Sequence, residues 1–279
     1  MVIIRLAQLS LFIVTLLLST LLYSVDTLAA TTEKTFSYPN NARNAISLSF
    51  DDARPSQVEI ALPLLNRQQV NATFYVMPDR VKDKLALWQA AAKQGHEIGN
   101  HTSEHLCTGN FPWLRAQGKG LEQVDLADIE RDIITTTEYI KQHLGVTPRS
   151  FAYPCGNTFV GRGAKVKSYV PLIAKHFFTG RTWLDETANH PSYTDLAQLT
   201  GIRMDGMSFS ELKALLDTLR VNNSWIILAG HDVGEKGRYS VDEQMLAELV
   251  SYLKNPKNGY WLDTVSNVAD YIKRQRQTN

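Results

Sequence analysis

From Asn44 onward the chain alternates short apolar runs with segments whose apolar residues recur every three or four positions, the pattern of strand-helix repeats around a parallel sheet. Ala45 to Phe50 predicts a buried strand that stops at the paired acids Asp51-Asp52. A helix around Ile60 to Gln69, started or kinked by Pro63, leads to a second strand from Ala72 to Val76. Asp83 to Gln94 reads as a helix closed by Gly95, and His96 to Gly99 as a short strand running into His101. The clearest helix is Leu126 to Leu144, where Leu126, Ile129, Ile133, Ile140 and Leu144 share a face, Gly145 ends it and Pro148 prevents its resumption. Phe151 to Tyr153, the vicinity of His176 to Thr179, and Trp225 to Leu228 are further strands. Helices are expected over Ser210 to Arg220, Val241 to Leu253 and Val265 to Arg274. The alternation predicts an α/β chain with a barrel-like parallel β/α fold. In such folds catalytic groups stand at the C-terminal ends of strands, and Asp51-Asp52, His101 and His231 all fall just after predicted strands.

The first thirty residues follow a different pattern. Arg5 precedes an apolar stretch from Leu9 to Tyr23, and Thr27-Leu28-Ala29-Ala30 offers small residues for cleavage, so residues 1–30 read as an export signal. The alternative is an uncleaved anchor, but the apolar run from Leu6 to Leu22 is slightly short of the ~20 residues that span a bilayer. No cysteine stands near the cleavage site to accept a lipid. The mature chain, residues 31–279, is then exported, secreted or periplasmic, with no transmembrane domain. At roughly 250 residues, with no linker or repeat, it is expected to form a single domain. A formal net charge of +1 does not indicate a strong basic patch for nucleic acid, although a neutral total leaves room for a local one. The two cysteines, Cys107 and Cys155, can pair in an exported protein or remain free thiols.

Three segments carry candidate chemistry. Successive side chains at a strand end point in opposite directions, so one acid of the Asp51-Asp52 pair can bind a cation while the other faces a substrate, although such a pair also suits a turn or a helix cap. His101 and His105 are four apart, and one helical turn would bring both imidazoles to one side. Two histidines and a carboxylate suit a divalent ion with a position left open for water. Trp225 to Gly230 is an apolar run that delivers His231.

Taken in order, Ser49-Phe50-Asp51-Asp52, His101-x3-His105, Phe151-Ala152-Tyr153-Pro154-Cys155-Gly156 and Leu228-Ala229-Gly230-His231 resemble the polysaccharide deacetylases, the chitooligosaccharide-deacetylase-like carbohydrate esterases. The likeness runs from about Ala45 to Lys273. It implies a distorted (β/α) barrel with fewer complete units than an eightfold one, holding one divalent ion, with zinc the first expectation. By motif position Asp52, His101 and His105 would be the ligands, Asp51 the general base and His231 the general acid, with the Cys155 backbone N–H helping to bind the oxyanion. The implied reaction is removal of acetyl groups from an N- or O-acetylated poly- or oligosaccharide. A divalent ion would lower the pKa of the attacking water and polarise the carbonyl, Asp51 would take the proton, and His231 would protonate the leaving group.

The chain also departs from the family. Ala152 stands where an arginine often steadies the base aspartate, so Asp51 must pair with Arg181 or Arg203 or remain unpaired. Cys155 replaces the usual tyrosine, Ala53 the usual glycine and Ala229 the usual leucine. Asp185 and Asp205 are both candidates to orient His231. A Cys107–Cys155 bridge would tie the ligand turn to the oxyanion loop. Trp113, Tyr153 and Trp183 are the aromatic residues nearest the motifs, and Leu106 to Gln123 is long enough for a substrate loop. His96, His143, His176 and His190 match no motif and are read as structural.

Two other readings compete. His101-Thr102-Ser103-Glu104-His105 fits the H-x-x-E-H zinc-protease pattern, which needs a long helix and leaves Asp51, Asp52 and His231 without a role. A catalytically inactive envelope carbohydrate-binding protein is compatible with the missing arginine, while the retention of both Asp51 and His231 argues against it.

Overall fold

The strand from Asn44 to Phe50 is buried along its whole length, and its polar residues are spent inside the sheet. Ser47 Oγ accepts from Trp225 Nε1 at 3.1 Å, Ser49 Oγ donates to the Leu228 carbonyl at 2.9 Å, and Asn44 Oδ1 accepts from the Ser224 N–H at 3.0 Å. A strand covered on both faces is the expected centre of a parallel sheet. The computed structural model describes residues 36–183, 186–220 and 223–278. Residues 1–30, read above as an export signal, and Asp185 lie outside them.

The strands are β1 Asn44–Phe50, β2 Thr73–Val76, β3 Glu97–Asn100, β4 Ser150–Ala152, β5 Phe159–Val160, β6 Lys167–Ser168, β7 Thr179–Arg181, β8 Ile202–Arg203, β9 Trp225–Gly230, β10 Asp232–Gly234, β11 Ser240–Asp242 and β12 Tyr260–Leu262. Eight of them form one sheet in the order β7-β4-β3-β2-β1-β9-β8, with β12 beside the first half of β1 and β2 beside its end. An isolated bridge between Arg181 and Leu199 draws the β7 edge toward the segment that leads into β8. The result is a distorted (β/α) barrel. All of its main-sheet ladders are parallel, so the chain leaves every strand at the same end.

The helices follow from local chemistry. Leu126–Leu144 begins at Asp125, whose side chain accepts from the Ala127 and Asp128 N–H groups while Asp128 caps the Asp125 N–H in return. It ends at Gly145 in the left-handed conformation. Before Leu62–Arg67 the chain makes a π turn, Gln57–Ala61. Pro63 has no N–H to give to the carbonyl four residues back and its ring crowds that carbonyl, so the turn widens. Two expectations are corrected. His176 closes the helix Val170–His176, and the strand begins only at Thr179. Val241 belongs to β11, where Asp242 caps the following helix, Glu243–Lys254. Among the described residues no helix is long and apolar enough to cross a membrane.

Candidate active site

β1 delivers Asp51 and Asp52 to the end of the sheet. The Asp51 N–H still donates to the Gly230 carbonyl, at 2.9 Å, and then Asp52 and Ala53 take φ of +79° and +54°. This abrupt left-handed turn buries both acids, whose side chains are only 5% and 8% exposed. A residue with a Cβ at positive φ costs about 1–2 kcal/mol, so Ala53 holds a conformation that glycine would adopt freely.

Asp52 Oδ1 lies 3.5 Å from His101 Nε2 and 3.4 Å from His105 Nε2, and it is buried without a hydrogen-bond partner. Oδ2 is occupied, accepting from Arg54 Nε at 3.1 Å and Nη2 at 2.9 Å, while Arg54 Nη1 donates to Asp232 at 3.0 Å. His101 Nδ1 donates to the Ala152 carbonyl at 2.9 Å, which leaves its Nε2 lone pair facing Asp52. Burial, then the His101 imidazole, pushes the His105 pKa down to about 4 against the pull of Asp52 and Asp51, so His105 is neutral at physiological pH. Burial works to raise the Asp52 pKa, but His101, then His105 and His231, hold it well below the carboxylate range. One orphaned carboxylate oxygen and two imidazole nitrogens, all within 4.8 Å of one another, fit a divalent cation. His105, Cys107 and Cys155 also cluster within 4.8 Å, but both sulfurs are consumed in a disulfide and offer no thiolate.

The two histidines do not converge through a helical turn. Residues 101–108 are irregular, and Thr102 and His105 have φ of +60° and +46°. Side chains hold this turn instead. The Ser103 and Glu104 N–H groups donate to Asp132 at 2.7 and 3.1 Å, the Thr102 N–H to Asn100 Oδ1 at 2.8 Å, and the His105 N–H to Thr102 Oγ1 at 3.0 Å. Without a helix, and with Glu104 paired to Lys119 at 2.7 Å, the H-x-x-E-H protease geometry is not formed.

Asp51 Oδ1 pairs with Arg181 Nη2. Arg181 is fully buried, its guanidinium 5.0 Å from the Tyr75 ring and 5.4 Å from that of Trp183, with Nη1 donating to the Thr182 carbonyl at 2.9 Å. Gly201 makes room for it, since a Cβ there would stand 3.0 Å from Arg181 Cδ. Arg203 is exposed on β8 and is not the partner. On the other side of β1, the His231 N–H donates to Asp205 Oδ1 at 2.9 Å and His231 Nδ1 meets Asp205 Oδ2 at 2.6 Å. Burial pushes the imidazole down, but the Asp205 hydrogen bond and the charges of Asp51, Asp205 and Asp52 outweigh it and hold the His231 pKa above its usual value. Asp185, the other candidate to orient it, lies outside the described residues.

The family model described as polysaccharide deacetylase matches residues 38–169, which include Asp51, Asp52, both ligand-turn histidines and Cys155. Over these residues the chain carries the pattern of the polysaccharide deacetylase family. Over 77 residues it is 39% identical to a peptidoglycan-N-acetylglucosamine deacetylase of Bacillus cereus, covering 27% of this chain and 36% of that one. Over 98 residues it is 32% identical to a chitooligosaccharide deacetylase of Sinorhizobium fredii, covering 35% and 40%. The matches thus span only 22% to 40% of the length of these and the other curated relatives compared. The fold is similar to that of a family 4 acetyl xylan esterase from Clostridium thermocellum, solved with a cobalt ion, with a TM-score of 0.54, 22% identity, and coverage of 82% and 91%.

Against the family pattern the chain is unusual at its third motif. Ala152 is the register partner of Arg181 across β4 and β7, so a cation sits one strand away from the position where the family often carries arginine. Cys155 has φ +54° and is joined to Cys107, with the two Cα atoms 5.8 Å apart. The next residue, Gly156, packs where a Cβ would come within 2.9 Å of the Trp183 backbone nitrogen.

Asp51, Asp52, His101, His105, Cys155 and His231 open into one cavity of about 720 Å3, also lined by Trp113, Tyr153, Trp183 and Tyr239. The Tyr153 hydroxyl is spent on the Ala197 carbonyl at 2.8 Å, whereas the Trp183 ring lies 4.8 Å from that of His231. His96, His143, His176 and His190 are not among the lining residues. Sequence reasoning missed Arg54, Asp132, Tyr239 and Gln57. Gln57 Nε2 donates to the Asp51 carbonyl at 2.5 Å and the His231 carbonyl at 2.9 Å, tying the ends of β1 and β9 together. Of these, Arg54 alone had a signal, a cation two residues after an acid pair.

Proposed function

We propose that this protein is an exported, metal-dependent hydrolase that removes acetyl groups from an N- or O-acetylated poly- or oligosaccharide. The observation that carries this reading is the buried Asp52 Oδ1, without a hydrogen-bond partner and facing two imidazole nitrogens, in a cavity that also receives Asp51 and His231. Asp52, His101 and His105 would hold the ion, with zinc the first choice for an N/O donor set. When bound, it supplies Lewis-acid polarisation of the acetyl carbonyl and a lowered pKa for the attacking water.

The protein's own groups do the rest. Asp51, steadied by Arg181, takes the proton of the water as it attacks. The Cys155 N–H stabilises the negative charge that develops on the carbonyl oxygen. His231, kept protonated by Asp205, gives its proton to the departing amine or alcohol. The leader in residues 1–30 supports an extracytoplasmic site of action, where such glycans occur. The competing view, a binding protein without turnover, shares every feature except the last proton transfers.

The test is acetate release from acetylated chitooligosaccharides, peptidoglycan and acetylated xylan, measured with chelator and after divalent metal is restored. Release is expected to need metal and to fall by roughly 10²- to 10⁴-fold in Asp51→Asn, the range typical of general acid-base catalysis. Folded, metal-loaded protein that releases nothing from any of the three would sink the hydrolase reading.

A further inference from the structure

Arg54 follows the left-handed turn at Asp52 and Ala53, and its guanidinium folds back onto the carboxylate two residues before it. Nε and Nη2 both donate to Asp52 Oδ2, at 3.1 and 2.9 Å, and Nη1 donates to Asp232 Oδ2 at 3.0 Å. Asp232 is the residue after His231, and it is held in turn. Ser56 Oγ donates to its Oδ1 at 2.9 Å and accepts from the Val233 N–H at 3.0 Å. A run of contacts thus passes from Asp52 through Arg54 and Asp232 to Ser56, beside the active-site cavity that Arg54 lines.

The first consequence is geometric. A carboxyl group turns easily about its Cβ–Cγ bond, where the preferences are broad and twofold. Two donors on Oδ2 oppose that rotation, so Asp52 turns one oxygen, Oδ1, toward His101 and His105 and keeps the other engaged. The second consequence is electrostatic. The Asp52 and Arg54 charges cancel, and such a pair attracts a cation weakly. Asp232 changes that balance, because two carboxylates and one guanidinium leave a net negative charge.

Resting on the reading of Asp52, His101 and His105 as ligands, we infer that Arg54 is a positioning residue that selects the metal. By holding Oδ2 it limits the set to one oxygen and two imidazole nitrogens, which favours zinc over oxygen-preferring ions such as manganese. Asp232 restores the attraction that the guanidinium cancels. Imidazole suits zinc, whereas carboxylate oxygens suit manganese and calcium. An Asp52 free to present both oxygens moves the balance toward the second group.

The probe is the metal alone. Zinc and manganese dissociation constants are measured on chelator-treated, dialysed protein by competition with a fluorescent chelator, a readout that does not depend on turnover. Arg54→Met should reduce the preference for zinc over manganese by roughly tenfold or more, the size usual for groups that orient a ligand. Arg54→Lys keeps the charge without the two-point hold on Oδ2. It should also lose most of the preference, and it gives the answer if Arg54→Met does not fold. Asp232→Asn should weaken both ions by a similar factor, whereas Arg149→Met, which breaks an exposed pair with Asp270 away from the cavity, should change neither constant. Zinc binding with an unaltered preference in folded Arg54→Met, or a full parental preference in Arg54→Lys, would overturn the inference alone. A parent that binds neither ion would remove the ligand assignment with it. The expected preferences in a protein that releases no acetate would retain the role of Arg54 and remove the hydrolase reading.

Discussion

Asp51 and His231 leave a continuous ladder: β1 and β9 pair over six successive residues, from Ala45↔Trp225 to Phe50↔Gly230, and both strands are buried throughout. His105 and Cys155 are reached differently. β3 and β4 share only the Asn100↔Phe151 pair, and the chain then runs through Thr102, His105 and Cys155 at positive φ. On the first side backbone hydrogen bonds fix where the side chains emerge. On the second side Asp132, Asn100 and the Cys107–Cys155 bridge supply the constraint, whereas the positive-φ turn at Asp52 and Ala53 on the first side comes only after the ladder has placed Asp51. One half of the site is therefore a product of the sheet, and the other of a few cross-links.

Three perturbations would break or sharpen that contrast. The largest effect is expected at Arg181, which joins the two halves. Arg181→Met leaves the Asp51 carboxylate buried without its counter-charge and should lower unfolding stability by about 3–5 kcal/mol in urea titration. Adding Ala152→Arg, in register on the neighbouring strand, should recover part of the loss. A change below about 1 kcal/mol would mean that Arg181 is not the counter-charge.

The second perturbation removes the bridge. Cys107→Ala with Cys155→Ala opens a loop of 48 residues and should cost about 2–4 kcal/mol. Hydrogen exchange should show faster opening over residues 101–121 and 153–156 than over β1 and β9. Equal loss of protection across both regions would remove the distinction between the two halves.

The third and smallest effect is confined to the ladder side. Because the His231 pKa is raised in the folded protein, the pairing with Asp205 adds stability that is fully present below about pH 6.5 and is lost as pH rises through the raised value. The alkaline limb of kcat/KM should follow the same raised value. Asp205→Asn removes the charge that opposes burial, so the limb should move to lower pH with the β1 and β9 amides still protected. An unmoved limb would show that Asp205 does not set the protonation of His231.

Periodicity and capping residues made most of the secondary structure legible, and the helix Leu126–Leu144 falls on its predicted bounds because Asp125 and Gly145 terminate it locally. The segment around His176 was misread because a short apolar run has no period long enough to separate a helix end from a strand start. The His101–His105 spacing suggested a helical turn, but hydrogen bonds from Asp132 and Asn100 hold a left-handed loop that spacing cannot reveal. Arg54, Gln57, Asp132 and Tyr239 gave little or no signal, since each acts through a neighbour distant in sequence or through the shape of the cavity.

The sequence by itself determined the order of strands and helices and the chemical types gathered at strand ends, because hydrophobic period and residue chemistry are local properties. Only the tertiary structure decided that Arg181 rather than Arg203 meets Asp51 and that Asp205 meets His231. It alone left Asp52 Oδ1 facing two imidazoles. Those pairings depend on which strands become neighbours and which side chains lose water together, and burial of a charge is a property of the folded whole.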